Sequence, residues 1–177
     1  MSDKQLTQEM RLLKRLVISQ NDLSHTQWYA NLILSKNLHH SNLDENNYLH
    51  RALNTALIVS YWRPFSNNYE SVNKDKLKKL TEKFLSDFTR DEKNFHNQIG
   101  MLRNKEVAHS EAGRHQVKVN VVNFSDAPLA IPISRNAYIP LDQPETEMLC
   151  GMIQKLLRNI SQEQIRIQEQ LSIGDYF

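Results

Sequence analysis

Apolar residues recur along this chain mainly three and four positions apart, the period of one face of an α-helix, and only one stretch alternates instead. Leu6, Met10, Leu13 and Val17 form the first stripe and predict a helix over residues 3–19. Asn21-Asp22 interrupts it. Ser24, with Gln27 three residues on, has the form of a capping box, and Leu23 and Trp28 are spaced as the hydrophobic staple across it. A second helix is expected from there to about His39. The next stripe is the clearest: Leu49, Ala52, Leu53, Ala56, Leu57 and Ser60 share a narrow face, and Asp44 and Glu45 stand where the helix dipole favours negative charge. Pro64 lacks a donor and disfavours helical geometry at Arg63, so this core helix should end within Tyr61-Trp62-Arg63-Pro64-Phe65.

Leu77, Leu80, Phe84, Leu85 and Phe88 predict a further helix over Lys74–Asp87. Thr89 and Glu92 form another capping-box pair and restart the chain as a helix with Phe95, Ile99 and Leu102 on its buried stripe. Gly113 can close that helix with a left-handed cap. Val117, Val119 and Val121 then alternate with polar residues, predicting a strand over Gln116–Phe124, and Leu129–Ile133 is its expected partner in a small hairpin. Pro132 confines the second run to an edge. Pro144, Glu145 and Glu147 open a last helix, whose stripe of Leu149, Ile153, Leu156 and Ile160 continues toward Leu171. The expected fold class is mainly α: a helical bundle with a small β-hairpin, about residues 116–133, inserted before the C-terminal helix, all in a single domain spanning 1–177.

A chain of 177 residues, 40% hydrophobic and with only 4 Gly, has the size and make-up to bury a core without metal or disulfide. Cys150 is the lone cysteine, so no internal disulfide can form, and its apolar neighbours Met148, Leu149 and Met152 suit a packed thiol in a reducing, cytoplasmic setting. No apolar leader and no run long enough to span a membrane is visible. With 22 basic and 20 acidic side chains the net charge of +2 excludes nonspecific wrapping of nucleic acid by overall charge; phosphate binding, if present, is local. The basic run Lys74, Lys76, Lys78, Lys79 and Lys83 is broken by Asp75 and Glu82 and reads as a solvated face.

Gly-rich phosphate loops, paired Cys ligands, His-Glu-X-X-His and Gly-X-Ser-X-Gly elbows are all missing from the sequence, which argues against nucleotide hydrolysis, zinc hydrolysis and elbow chemistry. His39 and His40 are adjacent, so on a helix they would point about 100° apart and not share a metal as an i, i+4 pair could. No metal and no cofactor are expected. The segment that carries chemistry is Leu102-Arg103-Asn104-Lys105-Glu106-Val107-Ala108-His109-Ser110. Its Arg can hold a phosphate through parallel donors and stabilise the charge of a pentacoordinate transition state. Its His can accept the proton of a ribose 2′-hydroxyl or protonate the leaving oxygen near neutral pH. On one helix Arg103 and His109 stand roughly 120° apart, flanking the Phe95, Ile99, Leu102 stripe, so the spacing makes more sense if two copies meet across a twofold axis. Arg90-Asp91 followed by His96 repeats the spacing, but Thr89 as an N-cap places Arg90 in a first turn.

Read with its flanks, Leu102–Ser110 resembles the Arg-polar-x4-His signature of the HEPN superfamily, the higher eukaryote and prokaryote nucleotide-binding domains. His50-Arg51-Ala52-Leu53 with Ser60-Tyr61-Trp62-Arg63-Pro64-Phe65 looks like the other landmark of a group of bacterial HEPN-like proteins. The resemblance covers about residues 44–112, somewhat over a third of the chain. It implies a HEPN-like helical bundle, usually a homodimer, that cuts RNA without metal and leaves a cyclic phosphate. Many members act as toxins or in antiphage defence, sometimes beside a nucleotidyltransferase antitoxin. Carried over, Arg103 would stabilise the phosphate, Asn104 would orient His109 or the substrate, and His109 would serve as acid or base. Arg63 and Ser110 would contact substrate. Members that keep the fold and have lost cleavage imply the alternative: a noncatalytic helical dimer that binds RNA, a nucleotide or a protein.

Overall fold

The computed structural model describes residues 3–40, 44–66, 68–69, 76–77, 79–104, 116–124, 127–135 and 140–171, with side chains over 8–40, 45–66, 79–104 and 140–171. Among these residues four helices carry the core: α1 (Asp3–Ser35), α2 (Asp44–Trp62), α3 (Arg90–Leu102) and α4 (Gln143–Gln170). The longest contact follows from a repeat of alternating threes and fours. On α4 it buries Thr146, Leu149, Ile153, Leu156, Ile160, Glu163 and Ile167; on α1 it buries Leu16, Ser19, Leu23, Thr26, Ala30 and Ile33. Such a repeat holds one seam on one side of a helix over many turns, as in coiled coils. The two run antiparallel. His39, just past α1, bonds Thr146 near the start of α4 at 3.1 Å, while Gln20 and Glu9 meet Gln164 and Arg166 near its end.

α2 doubles back along α1. At one end the rings of His39 and His50 touch edge to face, 4.8 Å between centroids. At the other, Arg15 Nη2 donates to the carbonyls of Arg63, Pro64 and Ser66 at 2.8, 2.6 and 3.0 Å, tying α1 to the turn where α2 ends. That turn is where Pro64 was expected to stop the helix: α2 ends at Trp62 and Arg63–Phe65 continue as a 3-10 turn.

Three expectations need correction. The helices expected over 3–19 and from Ser24 to His39 are one continuous helix. The Asn21-Asp22 break and the Ser24–Gln27 box are not formed because the buried seam runs through them. Arg15, Ser19, Asp22 and Thr26 are all buried at four-three-four spacing, a polar stripe whose burial the apolar pattern does not reveal. Asp22 pairs with Arg63, and the Thr26 hydroxyl donates to the Asp22 carbonyl.

Where a helix was expected over Lys74–Asp87, the described residues instead form extended backbone at Lys76–Leu77 and a 3-10 turn at Glu82–Leu85, and residues 74, 75 and 78 lie outside them. Leu80, Phe84, Leu85 and Phe88 are buried as their spacing requires. However, the Leu80 amide is tied to the Pro64 carbonyl and Thr89 is committed to capping α3, so the chain between them turns a corner with short-range bonds instead of a full helix.

The β-hairpin is the third correction. The body whose side chains are described is all helices and 3-10 turns, with no strand in it. Extended backbone at Gln116–Phe124 and Ala127–Arg135 lies outside that body and makes no extensive contact with a helix. A two-stranded ribbon with neither a third strand nor a helix against it is marginal in water, and Pro128 and Pro132 remove two amide donors from the second stretch. The fold class is helical, without the hairpin as a component. No helix among the described residues is long and apolar enough to cross a membrane.

Candidate functional site at the end of the third helix

The position of Arg103 is set by how α3 is anchored. Thr89 and Glu92 form the expected reciprocal box: Thr89 Oγ1 accepts from the Glu92 amide at 3.2 Å, and Glu92 Oε2 accepts from the Thr89 amide at 2.7 Å. The same carboxylate takes Lys155 Nζ from α4 at 2.8 Å on both oxygens. These bonds hold the Glu92 carboxyl below its usual range despite the opposing effect of desolvation. Phe95 and Ile99 are buried against the core, and Gly100 lies face to face with Trp62 of α2, where a Cβ would fall 2.6 Å from Trp62 Cζ2. That close approach explains a glycine inside a helix.

Three residues later the chain reaches Arg103, the C-terminal cap, whose amide is shared between the carbonyls of Ile99 and Gly100. Its guanidinium donates to Asn104 Oδ1 at 3.0 Å on the exposed surface. Arg63 also stands at a helix end. Its Nη1 donates to Asp22 Oδ1 at 3.4 Å, a long pair with the Arg side chain more than half exposed. Among the described residues no hydrogen bond or ion pair joins Arg63 to Arg103 or Asn104. His109, Ser110 and the expected cap at Gly113 lie outside the described residues.

Phe95 and Ile99 bear on the twofold reasoning. Both are buried within one protomer, and Leu102 packs partly against the same core. The stripe that a second copy was expected to cover is already buried in the chain's own core. Beside it, His96 is enclosed by Tyr61, Trp62, Phe65 and Phe88, with ring centroids 4.5 Å away for Phe65 and 4.9 Å for Trp62. The Tyr61 hydroxyl and His96 Nδ1 are hydrogen-bonded at 2.9 Å. Burial pushes the imidazole down to about 4 and raises the Tyr61 phenol, so both are neutral structural groups. The Thr89 cap places Arg90 on the surface in the first turn, away from the role its spacing to His96 mimics.

Sequence reasoning missed a second cluster, at the far end of the bundle. His39 and His40, in the 3-10 turn after α1, share a cavity with His50 of α2 and with Asp142 and Glu147 at the start of α4. Only adjacency of His39 and His40 is visible in the sequence; their hydrogen-bond partners Thr146 and Gln143 lie 107 and 103 positions further along. Among the described residues no three His, Cys, Asp or Glu side chains converge as metal ligands. The chain matches no protein-family model, no curated protein and no solved structure.

Proposed function

We propose that this protein acts on RNA, as a metal-independent endoribonuclease of the HEPN type. Arg103 holds the scissile phosphate, Asn104 orients it, and His109 exchanges the proton with the 2′-hydroxyl or leaving oxygen. Ser110 and Arg63 contact substrate. One observation carries the reading. Arg103 sits at the end of a helix locked by Ile99 and Gly100, and among the described residues its guanidinium donates to the neutral amide of Asn104 and pairs with no carboxylate, which suits a cation that meets a phosphate. Other parts of the proposal are a cytoplasmic setting, a second copy approaching from the exposed side of α3 near Met101, and restraint by an antitoxin protein.

Burial of Phe95 and Ile99 within one protomer favours a second reading, a noncatalytic helical module that binds RNA or a protein partner. Both are tested by incubating labelled RNA with purified protein in EDTA, beside Arg103→Ala and His109→Ala variants confirmed as folded. RNA cleavage lost in both variants, with DNA untouched, is expected. Cleavage of DNA or dependence on magnesium overturns the mechanism, and no cleavage with equal RNA binding by all three proteins leaves the module.

A further inference from the structure

The cavity of about 530 Å³ at the junction of α1, α2 and α4 lies at the opposite end of α2 from Trp62. His50 and Trp62 are separated along that helix by about 18 Å at 1.5 Å per residue. Its polar lining is lopsided. Asp142 and Glu147 contribute two carboxylates, and among the described residues no Lys or Arg lines it. The histidines add no compensating charge deep in the wall: burial lowers His39, and burial followed by the neighbouring His39 brings His50 down to about 4.

The hydrogen bonds fix two tautomers. The Thr146 hydroxyl donates to the Asp142 carbonyl at 2.8 Å, so at 3.1 Å its oxygen accepts from His39 Nε2–H. Gln143 Oε1 accepts from His40 Nε2–H at 3.1 Å, and the Gln143 amide donates to Glu147 Oε1 at 2.8 Å. In the neutral form of either ring this leaves Nδ1 as the acceptor. His50 is only 8% exposed, and its Nε2 is buried without any hydrogen-bond partner. Buried polar atoms are rarely left so, which makes this nitrogen an unmet hydrogen-bonding group in a residue that lines the cavity. Pro140, Leu141 and Pro144 supply an apolar side to the same space.

From this arrangement we infer that the cavity binds a small organic cation, an alkylammonium or guanidinium compound. Its charged head meets Glu147, Asp142 and the imidazole acceptors, and its hydrocarbon part lies on the two prolines and Leu141. An anion is disfavoured by the two carboxylates, which no Lys or Arg among the described residues offsets. Glu147 has one oxygen taken by Gln143 and one left for the ligand, whereas Asp142 is committed in part to capping α4 through the Glu145 amide at 2.8 Å.

The test uses the full chain, 1,5-diaminopentane and agmatine as probes, 1,5-pentanediol as the uncharged match, and inorganic phosphate as the anion. Binding is followed through the imidazole resonances of His39, His40 and His50. Saturable shifts with either amine, none with the diol, and at least a fivefold weaker dissociation constant in Glu147→Gln are expected. Glu147 is exposed, so that variant keeps the fold; His50→Gln, which fills the same wall with a different donor set, should weaken binding as well. No saturable shift with the amines, equal response to the diol, preference for phosphate, or an unchanged dissociation constant in Glu147→Gln would each overturn the inference.

Discussion

Gly100 and Gly151 allow one substitution to be made twice with opposite expected signs. Both lie inside helices, where glycine costs roughly 1 kcal/mol relative to alanine through backbone entropy. At Gly151 on α4 an added Cβ meets nothing within 4 Å, so Gly151→Ala should gain most of that, about 0.5–1 kcal/mol. At Gly100 the same methyl would stand 2.6 and 2.9 Å from Cζ2 and Cζ3 of Trp62, against a comfortable carbon contact of roughly 3.5–4.0 Å. The indole cannot simply swing away. It packs on Phe65 at 5.6 Å and on His96 at 4.9 Å between centroids, so relief requires moving the aromatic cluster or tilting α3. Overpacking of this kind costs about 1–3 kcal/mol, which outweighs the propensity gain and leaves Gly100→Ala about 1 kcal/mol less stable than the parent. Urea midpoints of the two variants, with Trp62→Leu combined with Gly100→Ala to remove the obstacle, measure this directly. A Gly100→Ala protein as stabilised as Gly151→Ala would refute the close approach, and with it the account of how α3 positions Arg103.

Two further expectations follow from buried polar groups. The His96 imidazole sits at about 4 when folded and near 6.5 when unfolded, so its contribution is complete above pH 6.5 and is lost as pH falls toward 4, because the unfolded chain takes up the proton first. That amounts to about 2 kcal/mol between pH 7.5 and 5; His96→Phe should flatten this part of the stability profile, while His50, also near 4, keeps the remainder. Arg15→Ala empties a fully buried site and leaves the Ser66 carbonyl without its donor, whereas the Arg63 and Pro64 carbonyls keep the amides of Ser66 and Leu80. Its expected cost is about 3 kcal/mol by thermal or chemical denaturation, and a change below about 1 kcal/mol would show that the guanidinium does not fasten α1 to the end of α2.

These groups also explain what the sequence could and could not reveal. α2, the capped start of α3 and the stripe of α4 are local patterns, and each forms where its own residues place it. The continuity of α1 is hidden because Ser19, Asp22 and Thr26 look like surface residues until their partners on other elements are known. Burial at Leu80, Phe84, Leu85 and Phe88 is legible in their spacing, but their 3-10 path depends on Pro64, a contact distant in sequence. At the candidate site, Arg103 and Asn104 are found by motif alone. The histidine cavity is assembled from the ends of three helices and carries no local signal beyond a pair of neighbouring histidines.

The packing of α3 changes what the catalytic reading demands. A helix stripe can be buried against one partner, and Phe95 and Ile99 already face the chain's own core, so twofold burial of that stripe cannot be what brings an Arg to a His. The tether gives another route. His109 lies six positions after Arg103, a span of about 9 Å if helical and about 20 Å if fully extended. A pure helix would leave the two side chains on different edges, so pairing within a single chain requires a departure from helical geometry between them. Catalysis then requires a second copy only if that copy closes the cleft, and a monomeric yet active protein would be compatible with the same two residues.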